Sequence, residues 1–403
     1  MQVKGGTAGK QAIVYTAAFA VSLAIGMVNL SIVFYAKDIL GLAPAQVGFL
    51  AAMWCASYAL VCLVSRKLHD LAPPRFLIAG SLAMMALFVF AVLAAPSALW
   101  VFPFYALFGA SMALFWSPLV GWLSVGAEGG MLNRLTARFN MSWSAGAIAS
   151  PYATGRLYEW RPDIPLQAGG GILLATALFV GLVSMLLPNI RSDRSHRPEH
   201  ALGRKDFSTA YRFPAWIGLG ATYFGMGILT TVFPLASRSE AGFSETQVGK
   251  ALLVFGLCNF AGFFLLGRMK TWHFRVFPMA TALSIRACAF LVLASARTLG
   301  PIAGLMAVLG FTLSMAYTAS IFHGASGSLY KAKRMAIHET VISSSVVAGV
   351  LFGGMLYQAH SARAVYGIVA LISGGAAVAQ AVCAKKISVI GEKHWLPAGN
   401  MTE

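Results

Sequence analysis

The chain has 403 residues, of which 58% are hydrophobic and 11% are charged. Soluble domains carry about 25% charged residues, so the composition excludes a soluble globular protein and indicates one that lies in a membrane. The apolar runs are long and continuous, which favours transmembrane helices over a β-barrel, because barrel strands alternate apolar and polar residues.

Twelve apolar segments are long enough to cross a membrane as helices. We place them at 11–36, 46–66, 75–95, 99–125, 134–158, 168–188, 213–237, 247–267, 276–296, 299–325, 334–358 and 362–384. The longest polar segment falls between the sixth and the seventh. The sequence therefore predicts an all-α membrane protein, with a six-helix bundle at 1–188, a linker at 189–212 and a second six-helix bundle with a short tail at 213–403.

Lysine and arginine fall mainly on one side of these spans. That side contains both termini and the linker. Because cytoplasmic loops are enriched in Lys and Arg, the bias predicts that both termini and the linker are cytoplasmic. We expect a multi-pass protein of the plasma (inner) membrane. The bias also explains the net charge of +17 without a nucleic-acid partner, and the cations would instead meet anionic membrane lipids.

The two halves of the chain repeat each other. Gln46-Val47-Gly48 aligns with Gln247-Val248-Gly249, and the same separation aligns Gly109 with Gly310. A nearly equal separation aligns Gly155–Tyr158 with Gly354–Tyr357. Repeats at a near-constant separation predict two six-helix halves related by an axis along the membrane normal.

The loop after the second span, "RKLHDLAPPR", resembles the Gly-x-x-x-Asp-x-x-Gly signature of the major facilitator superfamily (MFS). Asp70 stands at its acidic position and Arg75 at a terminal basic one, while Arg66 and Pro73 replace its glycines. The resemblance extends over essentially the whole chain. It implies two bundles that rock around a midplane cavity, and a cytoplasmic gate that contains Asp70 and Arg75. Arg138, near the cytoplasmic end of the fifth span, is a further candidate for a gate or loop contact.

In that superfamily, spans one, four, seven and ten line the cavity, with help from spans two, five, eight and eleven. Here these spans carry aromatic and uncharged polar residues, which suit a moderately amphipathic organic solute. The alternative is that they serve helix packing and interfacial belts. The candidate substrate-binding residues are Asn29, Trp54, Tyr58, Trp116, Asn140, Trp143, Tyr223, Asn259, Tyr317 and His323.

Glu339 is the only acid well inside a predicted span, and it follows His338. A carboxylate in hydrocarbon costs several kcal/mol, so it must face a cavity or a partner. In a cavity, such a group can bind and release a proton, which is what coupling to a proton gradient requires. The alternative is an ion pair with Lys333 or with Arg334, which lies roughly 8 Å away along a helix.

Arg286 is the only arginine near the middle of a predicted span. A buried guanidinium binds a carboxylate, a carbonyl group or an anionic ligand. Since the ninth span of the superfamily is peripheral, a structural contact or a snorkelling side chain is favoured over contact with an anionic solute.

The sequence thus predicts a monomeric secondary transporter of a small organic solute, either coupled to protons through Glu339 and His338 or working as an uncoupled uniporter or lipid flippase. A receptor or scaffold is disfavoured because large soluble loops are absent from the sequence. An enzyme is disfavoured because no HExxH, paired intramembrane aspartates, Ser-His-acid group or nucleotide loop occurs. The five cysteines lack metal-ligand spacing, so we expect neither a metal nor a cofactor.

Overall fold

A computed structural model describes residues 3–64, 74–124, 129–185, 209–326 and 331–394. These ranges contain twelve α-helices and no strand. The helices are α1 (Val3–Asp38), α2 (Pro44–Val64), α3 (Pro74–Leu93), α4 (Ala98–Ser124), α5 (Gly129–Trp160), α6 (Ile164–Met185), α7 (Arg212–Ser239), α8 (Glu245–Arg268), α9 (Val276–Leu293), α10 (Leu299–Ala325), α11 (Lys331–Ala359) and α12 (Ala362–His394).

Within the described ranges, eleven of these helices are long and apolar enough to cross a membrane. The exception is α5, which carries Arg134, Arg138 and Asn140 along its first half. The helical membrane fold expected from the composition is confirmed. The last helix differs from its predicted span because α12 continues past residue 384 to His394, through a polar stretch that contains no proline. Most of the predicted linker lies outside the described residues.

Each packing contact in the first six helices has a counterpart in the last six. In the first half α1 packs on α5 and α6, α3 packs on α4 and α6, and α2 packs on α4. In the second half α7 packs on α11 and α12, α9 packs on α10 and α12, and α8 packs on α10. The predicted repeat is therefore confirmed as two six-helix halves with the same internal arrangement.

The Gln-x-Gly part of the repeat has a structural cause at the start of α2 and α8. The side chain of Gln46 accepts a hydrogen bond from the Ala43 amide (2.8 Å), and Gln247 accepts one from the Ser244 amide (2.9 Å). Each glutamine thereby satisfies an amide that the helix leaves without a partner. The preceding turns contain Gly41 (φ 66°) and Gly242 (φ 67°), in the left-handed region that favours glycine.

The two halves meet most extensively where α2 packs on α11 and where α5 packs on α8. Small residues allow the backbones to approach closely, which is the usual way in which membrane helices associate. A Cβ atom on Gly48 would lie 2.4 Å from the carbonyl oxygen of Val350, and one on Gly249 would lie 2.4 Å from that of Pro151. These contacts lie towards the distal end, which we define as the end where α1 and α7 end and α2 and α8 begin. The opposite end is the proximal end.

Candidate functional site

A cavity of about 390 Å³ lies between the two halves and is lined by residues of α1, α5, α7, α8 and α10. Its lining, as far as the structure describes it, contains no Asp, Glu, Lys, Arg or His. The polar groups that line it are hydroxyls, amides and an indole, while the rest of the wall is aliphatic and aromatic. Such a wall suits an organic molecule with a large apolar surface.

Four of the predicted substrate-binding residues line this cavity: Asn29, Trp143, Tyr223 and Asn259. The Tyr105 hydroxyl donates to Asn29 Oδ1 (2.9 Å), which leaves the Asn29 amide nitrogen available to a ligand. The buried Oδ1 of Asn259 has no hydrogen-bond partner. The first half of the protein therefore offers a donor to the cavity, and the second half offers an acceptor.

The other aromatic candidates lie outside the described lining and pack on further aromatic rings. The Tyr317 ring lies 6.4 Å from that of Tyr223, and Trp54 stacks on Tyr105 at 6.2 Å. Trp116 packs edge-on against Phe139 at 6.1 Å.

Asn140 and Tyr58 also lie outside the described lining. Asn140 is exposed and accepts a hydrogen bond from Trp143 Nε1 (3.2 Å). Tyr58 is partly buried in α2, where it interacts electrostatically with Glu339 of the other half.

His323 lies away from the cavity lining, near the proximal end of α10. Its side chain is 0% exposed, and its ring is surrounded by Tyr211, Trp272, Phe274 and Phe322 at centroid distances of 5.1 to 6.2 Å. Neither ring nitrogen has a hydrogen-bond partner. The surroundings of His323 are those of a packing residue.

Glu339 and His338 point in different directions, as successive helix positions do. His338 is buried, and its Nδ1 lies 2.7 Å from the Ser320 hydroxyl oxygen. Glu339 is exposed between the halves, where it interacts electrostatically with Tyr58 of α2 and with Tyr223 and Tyr317 of the second half.

No ion pair joins Glu339 to a cation among the described side chains, including that of Arg334. The side chain of Lys333 lies outside the described residues.

Arg286 is 0% exposed and lies between α7, α9 and α10. Its Nη2 donates to the Thr222 carbonyl oxygen (3.1 Å), and its Nη1 donates to the Leu309 carbonyl oxygen (3.1 Å). Its guanidinium carbon also lies 5.2 Å from the Phe290 ring centroid. These contacts hold three helices of the second half together, and Arg286 is not part of the described cavity lining.

The predicted cytoplasmic gate is described only in part. Asp70 lies outside the described residues. Arg75 lies in the first turn of α3, with its guanidinium 4.7 Å from the Phe76 ring centroid, and Arg138 is exposed on α5.

A cluster of charges at the distal end was not predicted from the sequence. Arg238 of α7 pairs with Asp38 of α1 (2.5 Å) and with Glu245 of α8 (2.6 Å). The Tyr158 hydroxyl also donates to Asp38 (2.9 Å), and the Arg238 guanidinium lies 5.2 Å from the Phe34 ring centroid. Asp38 and Arg238 lie in the last turns of the corresponding helices α1 and α7, but nothing in the sequence shows that these two helix ends meet.

A second contact across the distal end involves Glu159 of α5. Its Oε1 accepts a hydrogen bond from the Thr246 amide at the start of α8 (3.0 Å). Burial raises the pKa of the Glu159 carboxyl, but hydrogen bonds from Ser244 and Thr246 outweigh it and hold the pKa below its ordinary value. The ionised carboxylate thus favours the state in which the distal end is closed.

Comparisons with known proteins agree with this architecture. The bacterial homolog of the human lysosomal transporter Spinster, in its inward-facing and unoccupied conformation, has a TM-score of 0.75 and 14% identity, over 98% of this chain and 100% of that chain. Its inward-facing and occupied conformation has a TM-score of 0.71 and 15% identity, over 96% and 98%. A POT family transporter in complex with 5-aminolevulinic acid has a TM-score of 0.73 and 10% identity, over 94% and 96%.

At these identities the likeness shows the fold alone. No curated protein sequence matches the chain. The sequence pattern of the Major Facilitator Superfamily, however, matches residues 14–328, which is most of its length. The chain belongs to the Major Facilitator Superfamily.

Proposed function

We propose that this protein is a secondary transporter that moves a small organic solute by alternating access and couples that movement to protons at Glu339. The observation that supports it is the position of Glu339, an acid that lies between the halves and has no cation partner among the described side chains. It interacts electrostatically with Tyr58 on one half and with Tyr223 and Tyr317 on the other. A change in its charge would therefore act on both halves at once.

The coupling follows from the cost of removing water from a charge. An ionised carboxylate without a counter-ion is costly to enclose, so closure of the proximal end around Glu339 is disfavoured while it is ionised. A bound proton removes that cost. The proton thereby binds one state better than the other, which is what shifts a two-state equilibrium.

In this proposal the solute occupies the cavity between Asn29, Trp143, Tyr223 and Asn259, and the outer candidates shape its wall. The proximal end, where α1 begins and α12 ends, faces the cytoplasm of a cell whose plasma (inner) membrane holds the protein as a monomer. Asp70, Arg75 and Arg138 belong to the gate at that end, and the Arg238 cluster closes the other.

The test is made on purified protein in liposomes that contain a pH-sensitive dye. A panel of cationic, neutral and anionic aromatic solutes is added to wild type and to Glu339→Gln. Solute-dependent proton flux should be present in wild type and absent in Glu339→Gln, while solute binding persists. The control is Asp163→Asn, which removes an acid that pairs with Arg161 in the distal loop between α5 and α6 and should leave the flux unchanged.

Equal flux in wild type and Glu339→Gln would overturn the role of Glu339. Movement of solute without proton flux in wild type would establish the uncoupled uniporter instead.

A further inference from the structure

We infer that the solute is an organic cation with a bulky aromatic or apolar body, and that Glu339 is its counter-ion. This inference rests on the proposed transport function and names the class of solute that the same cavity takes.

The charges around the cavity favour a cation over an anion. The described lining carries no Lys, Arg or His, so an anionic solute would be buried without a partner, at a high cost. Arg286 does not supply one, because it is fully buried and both of its terminal nitrogens donate to backbone carbonyl groups. The acid that interacts with the cavity lining is Glu339, and it forms no ion pair with a described side chain.

Tyr223 connects that acid to the cavity, because it lines the cavity and interacts electrostatically with Glu339. Tyr223 also interacts with Arg286, but the terminal nitrogens of Arg286 already donate to backbone carbonyl groups. Tyr58 and Tyr317 also interact electrostatically with Glu339. A positively charged ligand group near Glu339 is therefore attracted, and a negatively charged one is repelled.

The rings provide a second attraction for a cation. Tyr58, Tyr223 and Tyr317 interact electrostatically with the carboxylate, and the Tyr317 ring lies 5.5 Å from that of Phe263, which lines the cavity. An organic cation gains from contact with aromatic faces, and the gain is larger where water is excluded. The same rings bury an apolar body, so the site combines one negative charge with a broad apolar surface.

A proton and an organic cation would then compete for one carboxylate. Several titratable or charged groups lie near Glu339. On the neighbouring helices they are Tyr58 and Cys62 of α2, Tyr223 of α7 and Tyr317 of α10, and Arg286 of α9 interacts with Tyr223. On α11 itself they are Arg334 and His338. Tyrosine and cysteine side chains are ordinarily neutral at pH 7, so Glu339 is the anion of this group. Since the carboxylate binds either the proton or the cation, the two would move in opposite directions through the cycle.

Two probes of the same shape and opposite charge test the inference. Tetraphenylphosphonium and tetraphenylborate are added to the protein in lipid nanodiscs, and binding is measured by equilibrium dialysis against empty nanodiscs. Wild type should bind the phosphonium at least tenfold more tightly than the borate. Glu339→Gln should lose at least tenfold of the phosphonium affinity, while Asp163→Asn should retain it.

Acidification supplies a measurement that needs no variant. Phosphonium affinity of wild type should fall as the pH is lowered, and borate affinity should not. A borate preference, or phosphonium affinity that is insensitive to both pH and Glu339→Gln, would overturn the inference.

The liposome assay separates the two proposals. Proton flux driven by neutral or anionic solutes but not by cations would overturn the cation assignment and leave the transport proposal intact. Phosphonium binding that depends on Glu339, in a protein that moves no solute, would overturn transport and keep the cation site.

Discussion

At the residue scale, His323 is a buried side chain whose polar atoms are unsatisfied. A polar group buried without a partner costs about 1–3 kcal/mol. His323→Phe keeps a ring of similar size among the surrounding aromatic rings, so it should raise the free energy of unfolding and the thermal unfolding midpoint. The comparison is His338→Phe, which leaves the Ser320 hydroxyl without its partner and should lower the midpoint.

The His323→Phe variant also tests whether His323 belongs to the solute site. Solute binding should be unchanged in His323→Phe, since the ring does not reach the described cavity lining. A loss of binding at normal stability would place His323 in the site after all.

At the element scale, the close approach of α2 to α11 depends on Gly48. A Cβ atom there would lie 2.4 Å from a backbone oxygen, which neither helix can move without shifting as a whole. Gly48→Ala should therefore separate the halves at the distal end and shift the protein towards the state that is open there. The readout is the rate at which a membrane-impermeant thiol reagent, added on the distal side, labels a single cysteine placed in the cavity of a variant without its native cysteines.

Gly80→Ala in α3 is the matched control, because a Cβ atom at Gly80 meets nothing within 4 Å. Faster labelling in Gly48→Ala and unchanged labelling in Gly80→Ala are expected. Equal rates in all three proteins would show that this contact does not limit opening.

The sequence predicted the elements better than the site, for a physical reason. Long apolar runs and the repeated Gln-Val-Gly report local requirements, namely helix length and the capping of α2 and α8. The partners of a side chain depend instead on how distant helices meet. The distal ion pair of Asp38 with Arg238 and the unpartnered Oδ1 of Asn259 therefore became visible only in the folded chain.

At the scale of the whole molecule, the cluster around Arg238 joins the two halves at the distal end. Arg238→Gln removes both ion pairs and should increase distal labelling of the cavity cysteine several-fold. Arg161→Gln breaks a comparable exposed pair that lies within the first half, so it should leave labelling unchanged. If both variants label at the wild-type rate, the cluster does not hold the distal end closed.

The pH on the distal side should act on the same equilibrium through Glu159. Its pKa is lowered in the closed state, so it stabilises that state when the pH is above its ordinary pKa, and the contribution is lost as the pH falls through the lowered value. Acidification on the distal side should therefore increase labelling. Glu159→Gln should flatten this dependence, and an unaltered pH profile in that variant would rule Glu159 out as its source.

The two partners of Arg238 belong to different halves, and separation of the halves treats them unequally. Glu245 lies in the same half as Arg238 and moves with it, whereas Asp38 departs with the other half and loses its cation. The open distal end would then expose the negative charge of Asp38, which Arg238 neutralises in the closed state. Long-range attraction of this kind accelerates the arrival of oppositely charged ligands and is weakened by salt. The rate at which a cation enters from the distal side should therefore fall as ionic strength rises, and Asp38→Asn should remove that part of the salt dependence.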